Sequence, residues 1–553
     1  MAHSKRIAII GAGPSGLTAI KCCKEEGFIP ICYELTGALG GLWRYHEEDI
    51  DGVSSLMRTT IINTSKEMSA YSDFPPPEEF PNFMHNRKML EYIMLYAKAF
   101  DLLRHIRYHL EVTKIEPCKD NEANGRWTVT LRSTQTEAIS REEFDGVMVC
   151  TGHHVYPNIP TFPGEQKFKG SIIHTHSLKT CERFDGQRIL IVGIGNSAAD
   201  AAVDCAFVAE QVYLSTRRGS WVMGRTGQDG KPYDLDLLRR RNVFLLKFLP
   251  FDLQCKFLEN RLTFDHATYN LKPEHRILSA HPTMNDALPN CILSGKVIVK
   301  GDVERFEENG VVFAGEKSVT EVDSVILATG YEIKFPFLES SVISVKSNRV
   351  HLYKRIIPPN LKHPNLAFIG LIQPLGGFFP IAEMQCRWFV QILAGKLKLP
   401  AKKEMEKDIE SKSRANKKRF VDTARHTIES DWLPYLDELA EMFGAKPNLL
   451  RLAVTDPKLF WTCFNGPCLP YQFRLQGPHS WPEARKAILT SEERVYAPFN
   501  STGKKLCEKK GGFISGKILF LILAMCAACA MYSRNYRRFI SVIPLYLNLK
   551  GIA

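Results

Sequence analysis

The chain has 553 residues, which is too long for one ordinary hydrophobic core and predicts two or three domains. Its content of 44% hydrophobic and 24% charged residues is that of a globular protein. The net charge of +12 is unevenly placed, because the residues after Asn500 hold nine Lys or Arg and one acid. The body is therefore only mildly basic, which argues against a nucleic-acid partner.

The 15 cysteines are scattered along the chain and show neither a disulfide framework nor the spacing of a zinc site. This usage favours a reducing compartment. The sequence also predicts no metal centre.

The first predicted elements are a buried parallel strand at Ile7 to Ile10 and a helix at Pro14 to Glu25. The turn between them carries Gly11, Gly13 and Gly16, the GxGxxG spacing of a dinucleotide-binding turn. The first glycine permits the tight turn, the second lets backbone approach the phosphates, and the third lets the helix pack close to the strand. We expect a pyrophosphate at the N-terminus of this helix.

The next predicted strand, Phe28 to Tyr33, ends at Glu34. A carboxylate at this position accepts the hydroxyl hydrogens of a ribose and repels a 2′-phosphate. The first site is therefore predicted to bind FAD or NAD rather than NADP.

Two more glycines and a tryptophan follow, and they are expected to close over the cofactor and to cover a flat ring. These residues are Gly40, Gly41, Leu42 and Trp43. No cysteine lies between Cys32 and Cys118, the stretch in which flavin disulfide reductases usually carry a redox pair. That class of enzyme is therefore disfavoured.

Asn63 opens the segment NTSKEM. Its carboxamide offers a donor and an acceptor without changing charge, which suits the edge of a flavin or a peroxide. An amphipathic helix is predicted at Arg87 to Ala99, with strands at Ile106 to Ile115 and Trp127 to Leu131.

A buried strand that ends in a small-residue turn is predicted at Asp145 to Gly152, and the pattern recurs at Asp323 to Gly330. This repetition suggests two nucleotide-binding modules, each closed by a returning strand. The second module begins at Arg188 and has Gly193 and Gly195 as its first two glycines. Its third position is Ala198, which is small enough for that role.

The strand after the second glycine turn, Gln211 to Leu214, ends without an acid. Guanidinium groups pair with a 2′-phosphate, so this site is predicted to bind NADPH. The residues assigned to it are Asn196, Ser197, Ser215, Thr216, Arg217 and Arg218. One FAD and one NADPH in a single chain imply hydride transfer from NADPH to flavin.

Later segments complete the predicted architecture. Strands are expected at Lys296 to Lys300 and Val311 to Phe313, an apolar helix at Met384 to Ala394, and a charged, solvent-facing helix at Pro400 to Lys418. The tail contains an apolar run, Ile518 to Tyr532, flanked by basic residues. We expect it either to span a membrane once or to lie in its surface, meeting anionic lipid.

Several of these segments resemble the flavin-containing monooxygenases of the animal drug-metabolising type, over nearly the whole chain. Phe168, Gly170 and His174 look like that family's FxGxxxHxxxY signature. Leu178 stands where the family usually has Tyr and the related Baeyer–Villiger enzymes usually have Trp, so this position does not separate the two subclasses. The D-x3-[LF]-ATGY-x4-P motif is matched by Asp323, Leu327 to Tyr331 and Pro336, and the GGLW, NTSKEM and GIGNS segments also resemble the family's.

The resemblance implies that NADPH reduces FAD and that the reduced flavin reacts with O₂ to give a C4a-hydroperoxide. NADP⁺ is expected to stay bound and to shield this species from water. A substrate nitrogen or sulfur then attacks the distal oxygen. Asn63 is expected to hydrogen-bond the hydroperoxide region, Gln373 to lie near the flavin, and His174 to hold the linker between the modules.

Three alternatives stay open at this stage. The enzyme oxygenates ketones by Baeyer–Villiger chemistry, or it is an NADPH oxidase that produces hydrogen peroxide, or it is a non-enzymatic flavoprotein scaffold. Since the body needs cytosolic NADPH, we expect it on the cytosolic face of the endoplasmic reticulum. Whether it forms a homo-oligomer is left open.

The predicted fold class is α/β, with an NADPH-binding Rossmann-like domain inserted in an FAD-binding one. The predicted boundaries are 1–154 and 331–445 for the FAD-binding domain, 155–220 and 296–330 for the NADPH-binding domain, 221–295 for a mainly helical insertion, 446–510 for a C-terminal region, and 511–553 for a membrane-anchoring tail.

Overall fold

Two parallel five-stranded sheets organise the computed structural model, which describes residues 4–119, 121–227 and 230–502. In spatial order, the strands of the first sheet are Leu366–Phe368, Gly146–Val149, Arg6–Ile10, Ile29–Tyr33 and Ile106–Arg107. Those of the second sheet are Val297–Lys300, Gln211–Ser215, Arg188–Val192, Ser324–Leu327 and Ser171–His174. The predicted α/β class is confirmed.

Each sheet is built around a central apolar strand that is buried on both faces, as parallel sheets require. The residues from Ile7 to Ile10 and from Ile189 to Val192 are all buried. Each strand leads through a glycine turn into a helix, Pro14–Glu25 in the first module and Asn196–Cys205 in the second. Pro14 occupies the first turn of its helix, where its missing N–H costs nothing.

The two modules also share one hydrogen bond at the start of the central strand. The backbone N–H of Arg6 donates to Asp145 Oδ2 at 2.8 Å, and that of Arg188 donates to Asp323 Oδ2 at 2.8 Å. In each case the aspartate immediately precedes the next strand of the same sheet. The Asp-led strands that recur in the sequence are therefore equivalent parts of two similar modules.

Smaller antiparallel sheets flank these modules. One has the strands Leu110–Pro117, Trp127–Ser133 and Ile139–Phe144, and another has Val303–Glu307, Gly310–Phe313 and Thr320–Glu321. Two-stranded pairs join Tyr156–Pro157 to Tyr331–Glu332, Val222–Met223 to Thr283–Met284, Val345–Lys346 to Arg349–Val350, and Gln373–Pro374 to Glu429–Ser430.

Among the described residues, the α-helices longer than four residues are Pro14–Glu25, Asn86–Ala99, Asn196–Cys205, Tyr233–Leu237, Arg240–Leu246, Phe251–Glu259, Leu288–Leu293, Phe378–Leu393, Lys402–Arg419, Trp432–Met442, Leu449–Thr455, Pro457–Asn465, Ala484–Leu489 and Ser491–Tyr496. The region 221–295 contains four of these helices and the short strands Val222–Met223 and Thr283–Met284. The helix predicted at Pro400 to Lys418 is confirmed within two residues and is largely exposed.

Two predicted elements differ from the structure. The single strand predicted at Ile106 to Ile115 is wrong, because His109 has a φ of +58° and divides it into strands that belong to different sheets. The helix predicted from Met384 begins at Phe378, directly after Gly377. The first turn of this helix is as apolar as the loop before it, so no change in the hydrophobic pattern marks where the helix begins.

The predicted membrane-anchoring tail, 511–553, lies outside the described residues. Within the part of the chain that the structure describes, no helix has the length and apolar character needed to cross a bilayer. Residues up to Pro498 form one compact unit, and the domain boundaries given above stay a prediction.

A buried ion cluster ties the first glycine helix to the rest of its module. Arg474 Nη2 lies 2.7 Å from Glu383 Oε1 and 3.0 Å from Asp73 Oδ2, and Lys21 Nζ lies 2.6 Å from the same Asp73 oxygen. Burial alone would raise the pKa of Glu383, but the charges of Arg474, Lys21 and Arg387 outweigh it and hold that pKa below its usual range. The cluster fixes helix Pro14–Glu25 against helix Phe378–Leu393.

We expect Arg474→Met to lower the free energy of unfolding by about 3–5 kcal/mol, because it leaves buried carboxylates without their main partner. Chemical denaturation of the FAD-loaded protein measures this change. Arg485→Met is the matched control: its partner is Asp456 and its side chain is 54% exposed, so we expect a much smaller loss than in Arg474→Met. Equal losses in the two variants would contradict a stabilising role for the cluster.

The lowered pKa of Glu383 also predicts how the stability of the fold changes with pH. The stability that its charge contributes is complete above the ordinary value of 4.5 and is lost as the pH falls through the lower folded-state pKa. Glu383→Gln is therefore expected to reduce the difference in unfolding free energy between neutral and acid pH. An unchanged pH dependence would contradict the assignment.

Candidate functional site

The first glycine turn is shaped by main-chain contacts that leave no room for side chains. A Cβ on Gly11, which has a φ of +98°, would lie 2.9 Å from the carbonyl oxygen of Cys150, at the end of the neighbouring strand. A Cβ on Gly16 would lie 1.9 Å from the carbonyl oxygen of Gly11. The N-terminus of helix Pro14–Glu25 therefore sits close beneath the turn, with its backbone N–H groups available to an anion.

The segment of residues 40–43 packs directly on this turn. A Cβ on Gly41 would lie 2.9 Å from the Cα of Gly13, and the N–H of Gly40 donates to the carbonyl of Ala12 at 3.1 Å. Residues Gly41–Trp43 form a short 3₁₀ turn in which Leu42 and Trp43 are half-buried. The two glycine segments thus form one cradle of backbone.

Glu34 is fixed at the end of its strand by backbone and side-chain donors. Its Oε2 accepts from the N–H of Ala12 at 2.8 Å, and its Oε1 accepts from the N–H and the hydroxyl of Thr36 at 3.0 and 2.8 Å. The side chain is only 8% exposed. Since a carboxylate oxygen accepts two hydrogen bonds, Oε2 keeps one position for a ribose hydroxyl.

The second glycine turn repeats this construction. A Cβ on Gly193, which has a φ of +121°, would lie 2.5 Å from the carbonyl oxygen of Ala328. Gly195 is the N-cap of helix Asn196–Cys205, which has no side-chain cap. Ala198 is fully buried, in agreement with its predicted role as the small third residue. Ser197 is exposed beside it.

The strand end of the second module carries exposed cations. Arg217 and Arg218 are exposed and line a cavity of about 790 Å³ together with Thr216. Ser215 is buried and its hydroxyl donates to the carbonyl of Gly301 at 2.7 Å, so it supports the loop rather than facing the cavity. Lys272, His275 and Lys300 also line the cavity, as do Glu274 and Glu316, and Lys300 Nζ lies 2.9 Å from Glu316 Oε1. They lie far along the chain from the motif, and no local pattern indicated them.

Asn63 is held in one orientation by a residue that the sequence did not reveal. Its side-chain oxygen accepts from Arg225 Nη2 at 2.7 Å, and Arg225 Nη1 lies 2.9 Å from Asp286 Oδ2. Tyr233 donates its hydroxyl to the backbone carbonyl of Asn63 at 3.2 Å. Because the oxygen is engaged by a guanidinium, the side-chain NH₂ of Asn63 is left to donate elsewhere.

One short segment connects this asparagine to the second module. Asn196 accepts at its side-chain oxygen from the N–H of Met284 at 2.8 Å, and Asp286, two residues further on, pairs with Arg225. Asn285 donates to Asp200 of the second glycine helix at 2.9 Å. Residues 284–286 therefore contact Asn196 directly and Asn63 through Arg225.

The linker between the modules contains a group of histidines around Tyr331. His174 accepts at Nδ1 from the N–H of His176 at 3.0 Å, and its ring lies 5.3 Å from that of Tyr331. Burial lowers the pKa of His174 to about 4, so the ring is neutral at pH 7. Leu178 is buried in the core of the second module. His174 and Leu178 are therefore both packed in the protein interior, which suits a structural role for each.

Gln373 lies beside a buried carboxylate. The strand Gln373–Pro374 pairs with Glu429–Ser430, and the N–H of Gln373 donates to the carbonyl of Ile428 at 2.9 Å. Glu429 is fully buried and its Oε2 lies 3.3 Å from His281 Nδ1. Neither Glu429 nor His281 stood out in the sequence.

The chain matches the family model described as flavin-binding monooxygenase-like over residues 4–533. It is 48% identical over 516 residues to flavin-containing monooxygenase 5 of Cavia porcellus, covering 92% of this chain and 96% of that protein. It is 48% identical to the Homo sapiens protein of the same name, covering 89% and 93%. It is 42% identical to dimethylaniline monooxygenase [N-oxide-forming] 2 of Cavia porcellus, covering 96% and 99%.

Solved structures with the same fold include S-allyl-L-cysteine S-oxygenase from Allium sativum, with a TM-score of 0.63 and 23% identity over 88% of this chain and 98% of that one. An oxidised steroid monooxygenase bound to NADP has a TM-score of 0.56 and 18% identity, covering 79% and 97%. Cyclohexanone monooxygenase bound to epsilon-caprolactone has a TM-score of 0.56 and 16% identity, covering 79% and 97%.

The glycine cradles suit two dinucleotides, since a Cβ at either turn would collide with backbone. With the match along nearly the whole chain, this identifies the cofactors as FAD and NADPH and the reaction as monooxygenation with O₂. The protein belongs to the flavin-binding monooxygenase-like family.

Proposed function

We propose that FAD binds the first glycine cradle and NADPH the second. A 2′-phosphate suits the cavity of Arg217 and Arg218, for which the structure records no ion pair among the residues it describes, and does not suit the carboxylate of Glu34. The bound flavin supplies the chemistry, accepting hydride from NADPH and activating O₂. The protein holds the two cofactors and excludes water from them.

Asn63 is the proposed catalytic residue, and its fixed side chain is the observation that carries the proposal. Arg225 holds the amide oxygen, so that the NH₂ group donates from one fixed position. A preorganised donor stabilises negative charge that develops on oxygen during transfer. Arg225 is therefore a positioning residue for Asn63.

The proposed substrates are soft nucleophiles, with neutral thioethers favoured over protonated amines. Such substrates need no acid or base from the protein, and a thioether keeps its lone pair at neutral pH, whereas a protonated amine has none with which to attack. One relative is named for forming N-oxides, and a solved structure of the same fold is an S-oxygenase. Both names agree with this class of substrate.

Baeyer–Villiger oxygenation of ketones is the second candidate, and one observation favours it. In that reaction the oxidant acts as an anionic nucleophile, which the guanidinium beside Asn63 would stabilise. We keep it as the alternative because the same guanidinium is already paired with Asp286, so its charge is partly neutralised.

We also propose that the protein acts on the cytosolic face of the endoplasmic reticulum and contacts the membrane through its body as well as its tail. Helices Arg240–Leu246 and Phe251–Glu259 expose an apolar patch, in which Phe248 is 63% exposed and Phe257 is 53% exposed. The patch consists of Phe244, Leu245, Phe248, Leu249, Phe251, Leu253 and Phe257. Lys247 and Lys256 are exposed within it, as suits anionic headgroups.

The cofactor placement predicts that Gly41→Ala binds FAD roughly tenfold or more weakly, since its Cβ would collide with the Cα of Gly13 at 2.9 Å. Gly27→Ala is the matched control, because Gly27 also has a positive φ, of +74°, but faces open space. The measurement is the FAD content of each purified variant and its dissociation constant for FAD. Equal FAD loss in both variants would assign the effect to backbone strain and contradict the cradle.

The role of Asn63 predicts the effect of Asn63→Asp, which keeps the acceptor for Arg225 but removes the NH₂ donor. We expect oxygenated product to fall by about 10²-fold, while NADPH oxidation continues and its electrons leave as hydrogen peroxide. FAD content should not change, and Asn260→Asp on the surface serves as control. Normal coupling of NADPH to product in Asn63→Asp would remove this residue from the mechanism.

The substrate proposal is tested with methyl phenyl sulfide, a tertiary amine and an aliphatic ketone. We expect sulfoxide formation to vary little between about pH 7 and pH 9 and amine oxygenation to rise as the ammonium group deprotonates. Ester from the ketone should form more slowly than sulfoxide. A higher kcat/KM for the ketone would favour the Baeyer–Villiger alternative, and peroxide as the only product would indicate an NADPH oxidase.

The membrane proposal is tested by flotation with vesicles that contain anionic lipid. Deleting residues 511–553 should reduce binding, and adding Phe248→Ser and Phe257→Ser should abolish what remains. Phe207→Ser is the control, since Phe207 is 80% exposed but lies outside the patch. If the truncated protein does not bind at all, the body makes no contribution and this part of the proposal fails.

A further inference from the structure

Arg425 reaches from the predicted FAD-binding part of the chain to the glycine turn of the second module. From the position that a Cβ would take on Gly195, Arg425 Nη2 lies at 3.2 Å and its Cζ and Nη1 at 3.5 Å. The guanidinium therefore covers the residue that caps helix Asn196–Cys205. A side chain on Gly195 would displace it.

The backbone that presents Arg425 is anchored on both sides. Arg425 lies in the 3₁₀ turn Ala424–His426. On one side the N–H of Val421 donates to the carbonyl of Ser279 at 2.9 Å, and on the other the carbonyl of Ile428 accepts from Gln373. The position of the guanidinium is thus set by tertiary contacts and not by a free loop.

The electrostatics of this position favour an anion. The N-terminus of helix Asn196–Cys205 is the positive end of its dipole and has no acidic residue in its first turn. Within the described ranges, no hydrogen bond or ion pair is recorded for the Arg425 guanidinium. Arg425 is an exposed residue. Desolvation by the surrounding protein lowers the pKa of its guanidinium more than the charge of Glu429 raises it.

Neighbouring titratable groups do not supply that anion. Burial lowers the pKa of His154 to about 4, with a further contribution from Arg425. Burial and the charge of Arg425 likewise lower the pKa of His426 to about 4. Glu429 is the acid whose charge raises the pKa of Arg425. Its Oε2 already lies 3.3 Å from His281 Nδ1. A cation and a helix N-terminus therefore face each other across the glycine turn.

We propose that Arg425 binds the pyrophosphate of NADPH and NADP⁺ together with the N-terminus of helix Asn196–Cys205. A guanidinium fork matches phosphate oxygens, and the phosphate charge offsets both positive groups. The pyrophosphate is common to NADPH and NADH. Arg425 therefore supplies affinity, whereas Arg217 and Arg218 at the far end of the site supply preference for the 2′-phosphate. This inference rests on the proposed placement of NADPH.

The test compares Arg425→Gln with Arg217→Gln in the full-length, FAD-loaded enzyme, with NADP⁺ and NAD⁺ as probes and calorimetry as the measurement. Arg425→Gln should raise the dissociation constants of both probes by the same factor, about 10–100-fold. Arg217→Gln should raise that of NADP⁺ and leave that of NAD⁺ unchanged. Arg425→Lys, which keeps the charge but loses the fork, should fall between wild type and Arg425→Gln.

Two results would contradict pyrophosphate binding by Arg425, and one would contradict the proposed placement of NADPH. An unchanged affinity for NADP⁺ in Arg425→Gln, or a loss for NADP⁺ that NAD⁺ does not share, would exclude the pyrophosphate as its ligand. If Arg425→Gln does not retain FAD or no longer shows a cooperative thermal unfolding transition, the dissociation constants of Arg425→Lys for NADP⁺ and NAD⁺ are compared instead. If Arg217→Gln leaves the preference for NADP⁺ intact, the placement of NADPH itself is wrong.

Discussion

Main chain touches main chain at both cofactor turns, and this contact is the constraint on which the site depends. Gly41 lies against Gly13, and Gly193 lies against the carbonyl of Ala328, at separations that no Cβ can enter. Because the chain approaches so closely, backbone N–H groups and a helix N-terminus converge on one volume in each module. That volume suits the phosphates of a dinucleotide.

The two modules share this scaffold and differ where their second strands end. The first ends in a carboxylate whose two oxygens are held by Ala12 and Thr36, and the second ends in two exposed arginines. In our proposal, a similar backbone with opposite charge at one edge separates the two cofactors. Residues 284–286 contact both Asn196 and Arg225, the partner of Asn63, and so link the two parts of the candidate site.

Sequence reasoning predicted the parts of the candidate site that follow a local rule. The glycine spacings, the acid at Glu34 and the arginines at 217 and 218 are each set by a few adjacent residues and by the geometry of a strand–turn–helix unit. The boundaries of helix Pro14–Glu25 were predicted for the same reason. Ser215 was assigned to the cofactor with its neighbours, but tertiary packing directs its hydroxyl to Gly301 instead.

Residues that act across long sequence separations were not visible. Arg225 lies 162 positions from Asn63, and the segment around Arg425 reaches Gly195 only after the chain has returned to the first module. The break in the strand at His109 depends on the left-handed backbone conformation of that residue. Because His109 is not a glycine, the sequence does not mark the break. Such features arise from packing between distant segments, for which a single sequence holds no periodic or compositional pattern.

The central claim is that this protein transfers one atom of O₂ to a soft nucleophile at the expense of NADPH. The most direct measurement is turnover of methyl phenyl sulfide under ¹⁸O₂, with NADPH, sulfoxide and hydrogen peroxide quantified together. The account predicts sulfoxide that carries one ¹⁸O atom, formed in a yield that approaches one per NADPH consumed. Unlabelled sulfoxide, or peroxide that accounts for all of the NADPH, would contradict it.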